Sequence, residues 1–229
     1  MSRHKYTPGT ARTQPFPTKI IVVGNPDNRR VALFQTALAN SGFPPAIVVS
    51  YEDLLAQRIA LSDIVVPGSL VRIESPGENF EVEKALLRAG ESEALSEGGP
   101  CLSHKEIQGL SPDLGLILNP RQSYLGYRKL LIDIAQQLGE CEGVTLMSQP
   151  TDITTMFDKR LCHALCLSQN VPVPDSLGHV GSYEELIDRM NEARCCRVFV
   201  KLAHGSSASG VVALYVNETR QQAITSVEL

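Results

Sequence analysis

The segment Gly205-Ser206-Ser207-Ala208-Ser209-Gly210 presents backbone N–H groups unhindered by large side chains, together with three hydroxyls. That is the equipment of a polyphosphate cradle. Just before it, Val198-Phe199-Val200-Lys201-Leu202 reads as a strand. Period-two alternation puts Phe199 and Lys201 on one face and Val198, Val200 and Leu202 on the other. Burying an unpaired ammonium is costly, so Lys201 either meets an anion or snorkels to water beside a hairpin loop, and these residues alone leave both readings open. The loop is not a Walker loop, which places its Lys after the glycines and opens a helix. Nor is there a GxGxxG fingerprint, because Gly24 stands alone in the first strand-to-helix turn.

Other reactive side chains form weaker patterns. The six cysteines, at 101, 141, 162, 166, 195 and 196, make neither a CxxC pair nor a disulfide framework. Free thiols in a reducing cytosol are expected. Cys162, His163 and Cys166 lie at helical spacing, where cysteines act more often as small hydrophobes than as metal ligands. Cys195 and Cys196 would point to opposite faces of an extended segment. His104, His163, His179 and His204 read as structural or exposed histidines, and no catalytic residue is assigned.

The elements that would hold the Gly/Ser segment follow from periodicity. Residues 19–23 form an apolar strand closed at Gly24, and Asp27 or Asn28 can cap a helix through Phe34 and Leu38 that ends at Ser41-Gly42. A strand at 46–49, a short helix at 52–58 and a β-branched strand at 63–66, stopped by Pro67-Gly68, continue the alternation. This pattern predicts a parallel sheet covered by helices. A helix is expected over 81–89, then a loop over 90–100. Tyr127, Leu130, Leu131, Ile134 and Leu138 form an apolar stripe ended by Gly139, and 144–147 reads as a short strand. Gln149-Pro150 marks a domain boundary. One helix is expected through Phe157, Leu161, Ala164 and Leu165, ahead of Val171-Pro172-Val173-Pro174, which forbids helix. Ser182 and Glu185 form a capping box for a helix that buries Leu186, Ile187 and Met190. Strands at 197–202 and 211–216 enclose the Gly/Ser loop.

The chain has 229 residues, 43% hydrophobic and 20% charged, a composition suited to one or two globular domains rather than a fibre or a disordered polymer. No apolar run reaches the ~18 to 20 residues of a membrane span, so a soluble, cytoplasmic protein is expected. The net charge is −4, although the first seventeen residues carry Arg3, Lys5 and Arg12 and no acid. The remainder is more acidic still, which disfavours binding to a nucleic-acid backbone. Residues 1–17 read as a disordered tail, without the apolar stretch of a secretory signal.

The order Phe157-Asp158-Lys159-Arg160-Leu161, Val171-Pro172-Val173-Pro174, a capped helix, Val198-Phe199-Val200-Lys201 and Gly205-Ser206-Ser207-Ala208-Ser209-Gly210 resembles the ATP-grasp superfamily over about residues 151–216. The resemblance implies an α/β chain in three parts: the tail at 1–17, a Rossmann-like pre-ATP-grasp domain at 18–150, and the α+β first subdomain of an ATP-grasp fold at 151–229. It further implies that Lys159 and Lys201 contact the α and β phosphates of ATP and that 205–210 closes over the triphosphate. Phe199 would floor the adenine pocket.

Members of that family use ATP to phosphorylate a carboxylate, which an amine, or less often a thiol, then attacks. The implied partners are ATP, Mg²⁺ and small-molecule carboxylate and amine substrates or a peptide, with no nucleic acid and no membrane. The family's metal ligands come from a second subdomain beyond the loop, and Asn217 and Glu218 lie too near the hairpin to replace them. The expectation is therefore a fragment, inactive alone, whose last strand at 211–216 ends in an unprotected edge. Two alternatives stand beside it: a non-catalytic nucleotide-binding or protein-interaction module, and an unrelated Rossmann-like protein whose Gly/Ser segment is only a hairpin.

Overall fold

A computed structural model describes residues 16–113, 117–205 and 210–225. The chain is mixed α/β, with a four-stranded parallel sheet and a smaller three-stranded antiparallel sheet. The parallel sheet runs β2-β1-β3-β4, from β1 (Ile20–Val23), β2 (Ile47–Val49), β3 (Leu70–Ile73) and β4 (Thr145–Leu146). All four residues of β1 are buried, as a central strand covered on both faces requires. Ile20 and Val22 pack with Val31 and Leu38 of α1 (Arg29–Asn40). Ile21 and Val23 face the larger core, with Val82 and Leu86 of α3 (Phe80–Ser96) and Tyr127, Leu131 and Ile134 of α5 (Pro120–Gly139). The predicted α5 stripe is thus the inner wall of that core. The short helices α2 (Tyr51–Leu55) and α4 (His104–Gln108) are each capped by a serine, Ser50 and Ser103.

The third strand is not the β-branched run at 63–66. Asp63 ends a 3₁₀ turn (Leu61–Asp63), and Val65 beyond it is buried in the core without joining the sheet. The strand that pairs with β1 is Leu70–Ile73, where Arg72 lies opposite Val22 and hides the apolar pattern. Arg72 is tolerated because its guanidinium stacks 4.3 Å over the Phe34 ring and pairs with Glu74.

The loop expected at 90–100 is also overturned, because α3 continues to Ser96. Gly90 does not end the helix; it lets α5 cross at backbone contact. A Cβ on Gly90 would overlap the Gln122 carbonyl oxygen, and one on Gly126 would overlap that of Leu86. Gln122, fully buried, fills the rest of the crossing by donating 2.9 Å bonds to the carbonyls of Leu87 and Leu102 and accepting from Leu102 N–H at 2.8 Å.

Beyond β4 the single helix expected through Phe157 and Leu165 is two, α6 (Pro150–Phe157) and α7 (Lys159–Ser168), separated at Asp158. Then come α8 (Tyr183–Glu192) and the antiparallel sheet β5 (Arg197–Val200), β6 (Val212–Val216) and β7 (Gln221–Thr225). The Ser182 hydroxyl accepts from Glu185 N–H at 3.1 Å, while the Glu185 carboxylate returns to Gly181 N–H rather than to Ser182. Leu186 and Met190 pack on Leu214, Val198 and Val200, a small core of its own. The unprotected edge expected at β6 does not exist, because β7 pairs along it from Val212 to Val216. Asn217 turns that hairpin by accepting from Thr219 and Arg220 N–H groups.

Residues 1–15 of the expected tail lie outside the described residues; Phe16 is placed, its ring 5.3 Å from that of Phe43. All six cysteines are free thiols. Among the described residues no helix is long and apolar enough to cross a membrane.

Candidate functional site

Asp158 organises the site by interrupting a helix. Its backbone is extended (φ −109°, ψ 108°), and its carboxylate caps α7 by accepting from Arg160 N–H at 2.9 Å. The extended residue pairs antiparallel with His204. On either side of that bridge, Lys159 N–H donates to Ala203 at 2.8 Å and Gly205 N–H donates to Phe157 at 2.9 Å. The root of the Gly/Ser segment is therefore stitched to the start of α7.

The side chains repeat the stitch. Arg160 grips the buried Asp158 carboxylate with two parallel bonds, Nε to Oδ1 at 3.0 Å and Nη2 to Oδ2 at 2.6 Å. Burial works to raise the Asp158 pKa, but the Arg160 bonds outweigh it and hold the carboxyl below its usual range. His204, nearly buried, stacks on Tyr124 of α5 with centroids 4.5 Å apart. Burial lowers its pKa, Asp158 opposes this, and Arg160, Arg121 and Lys159 add to the lowering. The Arg160 guanidinium lies 3.1 Å from His204 Nε2 and can only donate, which assigns a neutral imidazole with its proton on Nδ1. The 3.5 Å approach of His204 to Asp158 is accordingly not an ion pair.

The two lysines singled out from the sequence come together here. Lys159 Nζ donates to the Gly205 carbonyl at 2.8 Å. Burial lowers the pKa of that ammonium, and the charge of Lys201 lowers it further. Lys201 itself lies exposed just past the end of β5 rather than within it. Two cations close enough to repel, one of them partly desolvated, form a place where a polyanion is favoured.

Phe199 is 72% exposed, on the sheet face opposite the Leu186–Met190–Leu214 core. The register aligns it with Ala213 and Ile224, a short apolar row across the uncovered face. Gly205 (φ +111°) and Gly210 (φ +70°) adopt backbone that favours glycine. At Gly210 a side chain would also press on Leu202, its Cβ 2.8 Å from Leu202 Cδ1. Ser206, Ser207, Ala208 and Ser209 lie outside the described residues.

Asp158, Arg160, His204 and Tyr124 were not singled out as site residues from the sequence. The available signal was an Asp immediately before Lys-Arg inside an apolar helical pattern, which is an N-cap signature; His204 carried none. Among the described residues no three His, Cys, Asp or Glu side chains converge as a metal site. No family model matches the chain, and no curated protein or solved structure matches it.

Proposed function

We propose that this chain is the nucleotide-holding part of an ATP-grasp-type, ATP-dependent carboxylate–amine or carboxylate–thiol ligase. One observation carries the reading: Lys159 and Lys201, far apart in sequence, converge at the root of the Gly/Ser segment beside the uncovered Phe199 face. Lys159 and Lys201 would take the α and β phosphates, and the backbone N–H groups of 205–210 would close over them. Phe199 would pack on the adenine. ATP supplies the phosphoryl group that activates the carboxylate. Mg²⁺ bound with the nucleotide would neutralise the transferring group. Within this chain the cations bind and orient, and no proton transfer is assigned to any residue.

The test is calorimetric titration of Mg-ATP, Mg-ADP and Mg-GTP into the wild-type chain and into Lys159→Ala, Lys201→Ala and Phe199→Ala. Adenine-selective binding, weakened by both lysine changes and losing its base preference with Phe199→Ala, is the expected result. Unchanged affinity in both lysine variants, or no binding, overturns the reading.

A second reading, an interaction module without catalysis, draws on α7. None of its ten residues is buried, and Leu161, Leu165 and Leu167 are about half exposed. Failure of every nucleotide to bind would favour it.

A further inference from the structure

Three polar atoms form a triangle at the Asp158 break. Asp158 Oδ2 accepts from Arg160 Nη2 at 2.6 Å and stands 3.5 Å from His204 Nε2, while Nη2 and Nε2 are 3.1 Å apart. The triangle suits one protonation state only. With Nε2 bare, Arg160 donates to both neighbours. A proton taken from water onto the Nε2 lone pair reverses that edge, because Nε2–H cannot accept from a guanidinium and two cations would then face each other at 3.1 Å. The same proton turns Nε2 into a charged donor aimed at Oδ2, an ion pair where there was none.

The three corners differ in freedom. Asp158 and His204 are buried, and the backbone bridge between them, the cap on α7 and the Tyr124 stack pin them in place. Arg160 lies at the surface with its side chain 56% exposed, so it is the corner that yields. The charged groups around the ring decide when. Asp158 favours the proton, whereas Arg160 and Lys159 from α7 and Arg121 from α5 oppose it. Tyr124, stacked on the ring, is kept as the neutral phenol by burial. Glu97 of α3 is already engaged by Arg121 at 2.5 Å and Arg128 at 3.4 Å. Lys201 acts on Lys159, which grips the backbone on both sides of His204. A polyanion that neutralised the two lysines would therefore remove one of the charges opposing the proton and add one that favours it.

We propose that His204 is a proton switch for the phosphate end of the candidate site. Protonation at Nε2 pairs the imidazolium with Asp158 and frees the Arg160 guanidinium, which becomes a third cation for a polyphosphate next to Lys159. The exchange of partners is a property of this chain alone, and its effect on the nucleotide rests on the ligase reading above. Acid then tightens nucleotide binding, and by linkage bound nucleotide draws a proton onto His204 by the same factor.

The test follows the His204 ring nitrogen and Arg160 Nε–H resonances of ¹⁵N-labelled protein from about pH 8 to about pH 4.5, above the ordinary Asp range, without nucleotide and with saturating Mg-ATP. In the free protein Nε2 should gain its proton, and Arg160 Nε–H should lose protection from solvent exchange at the same midpoint. His204→Gln, which carries no titrating ring, should keep Arg160 protected throughout. Mg-ATP should raise the His204 midpoint by about half a pH unit, matched by roughly threefold tighter binding at the acid end. A ring that stays neutral over the whole range, or Arg160 protection that is lost at another pH or equally in His204→Gln, overturns the proposal. Mg-ATP that binds without moving the midpoint overturns the switch as a control on the nucleotide and leaves the ligase reading standing. Coincident transitions in a protein that binds no nucleotide would keep the exchange of partners and remove the ligase reading.

Discussion

Lys159 and Gly205 meet through a side-chain ammonium donating to a backbone carbonyl at 2.8 Å, while the backbone N–H of Lys159 holds Ala203. One residue thus grips the chain on both sides of His204. Lys159→Met should speed hydrogen exchange of the Gly205 amide and leave that of Val23, in the buried strand β1, unchanged. Equal protection in the variant would show that the backbone bonds alone hold the root.

Lys201 has no such structural duty, since it is exposed beyond β5. Lys201→Ala should leave stability within about 0.5 kcal/mol of wild type and weaken Mg-ATP binding by about 1.5 to 3 kcal/mol, the range for a charged hydrogen bond. Denaturant melts beside calorimetry separate the two effects. A loss of stability comparable with the loss of affinity would mean that Lys201 supports the fold instead.

Acid should open the Asp158–His204 joint. His204 has a lowered pKa in the folded chain, so the unfolded chain takes the proton more readily and stability is lost as pH falls below about 6.5, the unfolded value. Asp158, also lowered, adds a second loss as pH falls below about 3.9. Urea midpoints measured across that range should fall with acid, and His204→Gln should flatten the upper part of the curve. A wild-type midpoint that does not change between neutral pH and the Asp range would contradict the neutral, buried imidazole.

Gly90→Ala and Gly126→Ala should each destabilise by about 3 kcal/mol, the upper end for a methyl inserted where packing is already tight. The added carbon meets backbone at both sites and no flexible side chain can yield. Thermal melts of the two variants test this, with Gly139→Ala, which faces open space, as the near-neutral control.

How legible each part was in the sequence depended on how local its cause is. The α1 cap, offered at Asp27 or Asn28 and found at Asn28, the α5 stripe and the separation of Phe199 from Val198 and Val200 follow from short-range periodicity and capping chemistry, although β5 stops at Val200 and leaves Lys201 and Leu202 beyond it. β3 was hidden because Arg72 is made tolerable by Phe34 and Glu74, contacts that no local pattern records. The continuation of α3 was missed for the same reason, since Gly90 answers to a helix distant in sequence. In the candidate site Lys201 and Phe199 were visible from residue type and strand alternation, whereas Lys159 was singled out only through the ATP-grasp resemblance. The Asp158 break was masked because the apolar spacing runs through it, and the bond pattern that creates it comes from His204 on another element.

The crossing of α3 and α5 also determines how this chain can be recognised elsewhere. A core position usually drifts, one methyl traded against another nearby, so its identity fades between distant relatives. Gly90 and Gly126 have nothing to trade with, because what each would strike is the peptide group of the opposite helix. A remote relative that keeps this crossing must show two glycines in register, one on each of two long helices flanking a parallel sheet, even where all other resemblance has been erased. That pair is the sequence signature of the crossing.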